Sequence, residues 1–400
     1  MRKQKLKIGI FTAGFGQGGT ERVSQILSDI LAKEGHEVVV VTGPIQKTDY
    51  KMPENVKRLV LQNYNEMNES QAIADEQFDV VIFQEYWVLK NYENIDLFIN
   101  RGLKVIAIDH NVYLAAILSD GLLAYADNDG GSTHQRQVLR HRVYPRLHAL
   151  VTLSPFDQFI WKQAGVRARY IQDPIVFENV PIEPRPQNVI AVGRLTDKDK
   201  QTEYALQVMK RLKVLNKQAR LYLLGGTDSS IDNFIKNKKL TNVVNVGYTL
   251  DVQKYYRNSS VLILTSRFEG FSMVIIEAIS QGVAVVSFSQ PYLVLMKCGV
   301  VQVKKQDYKE MAFQVNRLLK DETLRQKIVQ EGQECIKKLG SEVAPKWNEL
   351  LDEVVNDQFK DSEDEISQKE VEDILDVEVQ FLRQLKKNTK NSVRFKYVWK

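Results

Sequence analysis

Glu269 and Glu277 bound the stretch Glu269-Gly270-Phe271-Ser272-Met273-Val274-Ile275-Ile276-Glu277. The apolar run Val261–Ser266 precedes it and Gln281-Gly282 follows it. The order predicts strand, loop and helix, with Glu269 in the loop, Glu277 in the second helical turn and Ser272 as the N-cap. Loop amides and the positive end of that helix would face an anion. Carboxylates beside an anion site suit the hydroxyls of a sugar ring, which they accept in charge-assisted hydrogen bonds. The competing reading is a surface helix with two ordinary glutamates.

A second set of residues is Gly14-Phe15-Gly16-Gln17-Gly18-Gly19-Thr20-Glu21, between an apolar run and a helical pattern. Its glycines allow a sharp turn, and a helix start aims unpaired N–H groups at an anion. Read as G-x-G-x-x-G it matches a dinucleotide fingerprint, which also needs an acid at the end of the second strand. Here that strand ends Val41-Thr42-Gly43-Pro44, so a nicotinamide enzyme is disfavoured. What remains is a phosphate-facing loop or a plain tight turn. Asp127-Asn128-Asp129 and Asp197-Lys198-Asp199 match D-x-D, but neither follows an apolar strand as a metal–nucleotide motif requires; no metal is expected. His134, His141 and His148 recur every seven residues, about two helical turns apart and too far to share an ion. With Arg136, Arg140, Arg142 and Arg146 they read as a solvated basic helix broken at Pro145, the sharper alternative being a surface for anionic lipid or an anionic acceptor.

The elements that must position these residues alternate. Short β-branched runs (Ile8–Phe11, Val38–Val41, Val80–Phe83, Val105–Ile108, Leu150–Leu153) are separated by amphipathic stretches such as Glu21–Lys33. Four prolines between Asp173 and Gln187 mark a linker, and a second alternating series follows at Val189–Val192, Leu221–Leu224, Val243–Val246, Val261–Leu264 and Val283–Phe288. Continuous apolar strands between helices imply parallel sheets covered on both faces. The expected fold is α/β, two Rossmann-like doubly wound domains facing across a cleft, with ligands at the carboxyl edges of the sheets. After Val303 the pattern is helical over 306–319, 321–338 and 341–357.

These motifs resemble, in order from about residue 7 to 288, those of the family 4 retaining glycosyltransferases of the GT-B fold. That family carries E-x7-E between a strand and a helix. Val192-Gly193-Arg194-Leu195 with Lys200 is similar to its basic pair, Gly18-Gly19-Thr20-Glu21 to its glycine loop, and Asp109-His110-Asn111 to its histidine segment. The resemblance implies that Arg194 and Lys200 bind the donor diphosphate, with Lys198 the alternative to Lys200. Glu277 would hold ribose, and Glu269 with the amides of Gly270, Phe271, Ser272 and Met273 the donor sugar. Gly18 and Gly19 would approach the phosphates, and His110 would lie near sugar and acceptor. Arg194, Lys200, Glu269 and His110 form the implied catalytic set, with no metal and no cofactor beyond the nucleotide sugar as substrate. Two departures stand out: Asp173-Pro174 where the family usually has Asn-Pro, and Ser289-Gln290-Pro291-Tyr292-Leu293-Val294 where it commonly has a Gly and a Glu.

The implied organisation is an acceptor-side domain over 1–172, a linker over 173–187, a nucleotide-sugar domain over 188–340, a helix over 341–360 packing back toward the first domain, and an acidic then basic tail over 361–400. Phe381–Lys400 has seven Lys or Arg, no acid and several apolar residues, which reads either as a disordered solubilising end or as an attachment to an anionic membrane surface. The whole chain of 400 residues carries a net charge of only +5, and nucleic acid is not an expected partner. Just two cysteines and no apolar run of membrane-spanning length point to a cytoplasmic enzyme, peripheral at most to the inner face of a membrane. The expected reaction moves a hexosyl or N-acetylhexosaminyl group from a nucleotide diphosphate sugar, by family habit UDP-linked, to a hydroxyl of a lipid-linked, cell-surface polysaccharide or protein glycan acceptor. A catalytically silent partner subunit and a nicotinamide-dependent oxidoreductase are the alternatives.

Overall fold

The computed structural model of the protein describes residues 5–16, 18–85, 89–115, 132–175, 179–226, 229–249 and 251–388. Asp127-Asn128-Asp129 and the last twelve residues of the basic segment lie outside them. The chain divides into two units, Met1–Pro174 with Ser341–Lys400, and Ile175–Gly340.

The first unit is built on seven parallel strands: β1 (Lys7–Phe11), β2 (Glu37–Thr42), β3 (Val56–Val60), β4 (Val80–Glu85), β5 (Val105–Asp109), β6 (Ala149–Thr152) and β7 (Ala168–Tyr170), in the spatial order β3-β2-β1-β4-β5-β6-β7. Its central strands are apolar on both faces because helices cover both. Val38 to Val41 and Val105 to Ala107 are essentially inaccessible. The second unit has six parallel strands: β8 (Asn188–Val192), β9 (Arg220–Leu224), β10 (Val243–Gly247), β11 (Val261–Leu264), β12 (Ala284–Phe288) and β13 (Val301–Val303), in the order β10-β9-β8-β11-β12-β13. Both sheets are doubly wound, the strand order reversing between β1 and β4 and between β8 and β11. That reversal opens a crevice at the carboxyl ends of those strands, where ligands bind in open α/β sheets.

Three strands lack a clear signal in the sequence, β3, β7 and β13, and all three lie at sheet edges. An edge strand needs less apolar surface: β3 reads Val-Lys-Arg-Leu-Val, and Lys57 ion-pairs with Glu76. The helices expected at 321–338 and 341–357 are one continuous helix, Glu322–Val355, with Gly340 and Pro345 inside it. A mid-helix glycine costs only about 1 kcal/mol. Ile336, Val343, Trp347 and Leu350 are all buried and offset it.

The segment from Ser341 onward belongs to the first unit through specific contacts. Asn348 Nδ2 donates to Glu34 Oε2 at 2.8 Å, and Arg169 Nη2 donates to Glu353 Oε2 at 2.7 Å. The acidic stretch is docked as well, with Asp364 paired to Lys162 and Glu365 to Lys346. It leads into the helix Gln368–Asn388, which buries Val371, Ile374 and Phe381. Of the basic segment Phe381–Lys400, the described residues up to Asn388 thus belong to an amphipathic helix. Among the described residues no helix is long and apolar enough to cross a membrane.

The cysteines also depart from expectation. Cys298 and Cys335, read from their number as thiols of a reducing compartment, form a disulfide within the second unit. Thirty-seven residues separate them, and only the tertiary fold brings them together.

Candidate functional site

The carboxyl ends of β8 and β11, at the strand-order reversal of the second unit, gather the acidic and basic residues singled out in its sequence. Leaving β8, the chain turns at Gly193, φ +142°, held by Gly193 N–H donating to the Leu224 carbonyl at 3.0 Å. Gly225 faces this turn so closely that a Cβ there would meet the Gly193 oxygen at 2.0 Å, and its φ of +115° likewise demands glycine. Beyond the turn, Arg194 is 83% exposed, with Nε 3.1 Å from Asp197 Oδ2. A short 3₁₀ turn, Lys198–Lys200, then sends Lys200 inward, its carbonyl accepting from Thr265 Oγ1 at 2.8 Å.

Lys200 Nζ contacts Glu269 Oε1 at 2.7 Å, which couples the loop after β8 to the loop after β11. Both side chains are largely buried, at 23% and 12% exposure, while Lys198 is exposed. Of the two candidate lysines it is Lys200 that stands beside the glutamate. The Glu269 amide donates to Tyr292 Oη at 3.3 Å, and that hydroxyl donates to Gln290 Oε1 at 3.0 Å. Glu277, on the helix Met273–Ser280, accepts from Tyr256 Oη at 3.1 Å. Burial and the adjacent carboxylate hold the Tyr256 phenol well above its ordinary range, so it stays a donor. A small hollow lined by Val192, Leu195, Lys200, Ile263, Thr265 and Ser266 opens at the same strand ends.

Ser272 is not the side-chain cap that its position predicts. It precedes the helix with left-handed backbone, φ +73°, and its buried Oγ meets no hydrogen-bond partner among the described residues. The backbone path between Gly270 and Met273 wins over the cap, and it costs roughly 1–2 kcal/mol for a non-glycine residue. An unsatisfied hydroxyl and a helix start without a side-chain cap leave polar groups of this loop unpaired, as a ligand-binding loop requires.

In the first unit the glycine loop follows β1. Gly18 is the N-cap of the helix Gly19–Lys33, and a Cβ there would meet the Glu21 carboxylate at 1.9 Å. The loop is closed over by Tyr50, whose N–H donates to the Phe15 carbonyl at 2.8 Å.

His110, just past β5, bonds to one side chain and faces another. Nε2 lies 2.5 Å from Gln84 Oε1 at the end of β4, and Nδ1 lies 3.8 Å from Asp173 Oδ1 in the segment after β7. Burial holds the His110 pKa down at about 3 and pushes Asp173 up to about 7. The imidazole is therefore neutral across the physiological range, a hydrogen-bonding group and not an acid.

In the basic helix Arg140 departs from the solvated reading, while His141, Arg142 and Arg146 are exposed as expected. Within the helix Ser132–Val143, Arg140 is fully buried, ion-paired with Asp109 and set 5.0 Å from the Trp161 ring centroid. It supports the segment carrying His110 from behind and is not a solvated charge. His141 packs on Trp161, and His148 accepts from the Val105 amide at 3.1 Å. Each has a structural partner, and among the described residues no cluster of three His, Cys, Asp or Glu is placed to hold a metal.

Gln84, Asp173, Tyr256, Gln290 and Tyr292 thus join the residues singled out by sequence. Asp173, Gln290 and Tyr292 carried a signal as departures from the family pattern; Gln84 and Tyr256 carried none, because only the sheet register and loop packing bring them in.

With this geometry in place, comparison with known proteins is direct. Residues 186–321 match the family model described as glycosyl transferases group 1, a span that contains Arg194, Lys200, Glu269 and Glu277. The amylovoran biosynthesis glycosyltransferase AmsD of Erwinia amylovora is 24% identical over 359 residues, 84% of this chain and 96% of that protein. Among solved structures, sucrose-phosphate synthase from Thermosynechococcus elongatus superposes with a TM-score of 0.72 at 18% identity, covering 88% of this chain and all of that one. Staphylococcus aureus TarM, in complex with fondaparinux, alpha-GlcNAc-glycerol and UDP, superposes with a TM-score of 0.69 at 13% identity, covering 86% and 99%. Two doubly wound parallel sheets, a matching stretch around both glutamates and a near full-length glycosyltransferase relative converge: the chain is a glycosyltransferase of GT-B fold, similar over residues 186–321 to the group 1 glycosyl transferases.

Proposed function

We propose that the protein is a family 4 retaining enzyme that moves a hexosyl or N-acetylhexosaminyl group from a nucleotide diphosphate sugar, UDP-linked, to a hydroxyl of a growing glycan. The observation that carries this reading is the contact of Lys200 with Glu269 at the carboxyl ends of β8 and β11. A cation and an acceptor carboxylate fixed side by side there match a substrate with a diphosphate next to a sugar. In this reading the anomeric C–O bond breaks with its electron pair going to the diphosphate, and the acceptor oxygen bonds to the anomeric carbon as its O–H proton passes to the departing diphosphate oxygen. Arg194 and Lys200 offset the charge that grows on the leaving group, where preorganised cations contribute most. Glu277, oriented by Tyr256, takes the ribose hydroxyls. Glu269 and the amides of Gly270 to Met273 take the sugar. Gly18, Gly19 and His110 keep the roles that the family resemblance gives them, and no metal is assigned to the step.

Two relatives support a glycan acceptor: AmsD is named for amylovoran biosynthesis, and TarM is in complex with fondaparinux, alpha-GlcNAc-glycerol and UDP. A polysaccharide precursor, lipid-linked or at the cell surface, is the acceptor we assign, with the basic C-terminal segment as a contact to an anionic membrane surface. A thermal-shift screen over nucleotides and nucleotide sugars tests the donor. UDP and a UDP-sugar should raise Tm, and Arg194→Ala should abolish the shift; an unchanged shift would refute the phosphate assignment. Slow release of free nucleotide from the preferred donor distinguishes an enzyme from a silent subunit.

A further inference from the structure

His110, Gln84 and Asp173 come from three separate stretches of the first unit and meet with little solvent between them. The His110 and Asp173 side chains are 9% and 7% exposed, and Gln84 is 1% exposed. Gln84 Oε1 faces Nε2 at 2.5 Å, and in this amide orientation Nε2 carries the ring proton, which leaves the Nδ1 lone pair facing the Asp173 carboxyl at 3.8 Å. Gln84 Nε2 is buried without a partner among the described residues. An unpaired amide donor beside a ring nitrogen is informative, because turning the amide over would offer that N–H to an unprotonated Nε2.

We propose that Asp173 is a positioning residue for His110: its carboxyl, acting with the Gln84 amide, decides which imidazole nitrogen carries the ring's single proton. With Asp173 protonated, its O–H closes the 3.8 Å separation to donate to Nδ1, and Nε2–H donates to Gln84 Oε1. With Asp173 ionised, the carboxylate requires a donor, so the ring proton sits on Nδ1 and Gln84 turns to donate to Nε2. One proton leaves the cluster in this change, from the carboxyl; the imidazole stays neutral throughout. The inference rests on the reading that His110 belongs to the substrate site, since that is where a choice of tautomer alters what the ring can offer.

The surrounding charges leave this equilibrium to Asp173. Asp109, next to His110, is neutralised by Arg140. On the other side, Tyr170 faces Asp173 and feels Glu342 and Glu365, both of which pair with Lys346, whose Nζ lies 4.6 Å from the Tyr170 ring centroid. Burial places the carboxyl titration near 7 and keeps the imidazole from charging, so the carboxyl is the group that changes state near neutrality.

Histidine-selective ¹⁵N labelling of the full chain tests this, because long-range ¹H–¹⁵N correlations report which ring nitrogen is protonated. His110 is assigned by the signal lost in His110→Gln. In the wild type its pattern should pass from Nε2–H to Nδ1–H between about pH 6 and pH 8, with no cationic form. Asp173→Asn, isosteric and without a titrating proton, should hold a single tautomer at every pH. Donor turnover should in parallel lose its inflection near pH 7 in that variant. A wild-type ring that keeps one tautomer across the range, or an unchanged transition in Asp173→Asn, overturns the proposal. If no nucleotide sugar is turned over, the functional reading fails while the ring spectra still decide this one.

Discussion

In the proposed reaction the chemistry turns on Lys200, the cation that meets Glu269 where two separate loops converge. Lys200→Ala should lower donor turnover by about 10²-fold or more, the scale on which loss of one preorganised electrostatic group is felt. Lys198→Ala, on the exposed side of the same turn, should stay within about twofold, and steady-state nucleotide release compares them. Tyr256→Phe removes the hydroxyl that orients Glu277 and little else. A lost hydrogen bond to a charged group contributes roughly 1.5–3 kcal/mol, so KM for the donor should rise tenfold or more, with kcat changed far less if ribose binding is uniform through the reaction. The glutamates and Lys200 were legible because their types and spacing are unusual between a strand and a helix. Tyr256 was not, being one aromatic among many until the fold set it beside Glu277.

At the scale of elements, the loops are held in shape by what lies behind them. The Arg140–Asp109 pair underlies the end of β5, and Arg140→Met strands a buried carboxylate. Urea denaturation should show a loss of about 3–5 kcal/mol, with most of it recovered in the double variant Arg140→Met, Asp109→Leu, since a buried pair replaced by apolar groups is often neutral. The sequence presented Arg140 as one of a row of basic residues. Helical periodicity shows which residues share a face but not whether that face meets water or a buried acid. The edge strands β3, β7 and β13 were missed for a related reason, as a strand with one neighbour needs fewer apolar residues. Ser272 obeyed the spacing rule for a cap, and the tight path of its loop overrode it.

For the molecule as a whole, two features bear on stability. Asp157 and Asp173 are buried carboxyls that titrate near 7, above the ordinary Asp value of 3.8. The folded state then favours the protonated form, so their contribution is greatest at low pH and is lost as pH rises from about 4 to about 7. Asp173→Asn should consequently gain stability relative to the wild type at pH 8 and show little gain at pH 5, read as the difference in Tm at the two pH values. The C-terminal helix Gln368–Asn388 is the other feature. Ending the chain at Ile366 removes the buried Val371, Ile374 and Phe381, each contributing roughly 1.5–3 kcal/mol, and should lower the Tm of the first unit, whereas a solubilising tail would leave it unchanged. The sequence by itself determined the two doubly wound sheets, the places of their central strands along the chain and the acidic and basic residues at the strand ends, because parallel strands buried on both faces and glycine-marked turns are written locally. Tertiary structure alone decided which lysine meets Glu269, what holds His110 and Glu277, where Arg140 points and that Cys298 meets Cys335. Those pairings join residues far apart in the chain, and the packing of elements against one another, which local patterns do not encode, brings them together.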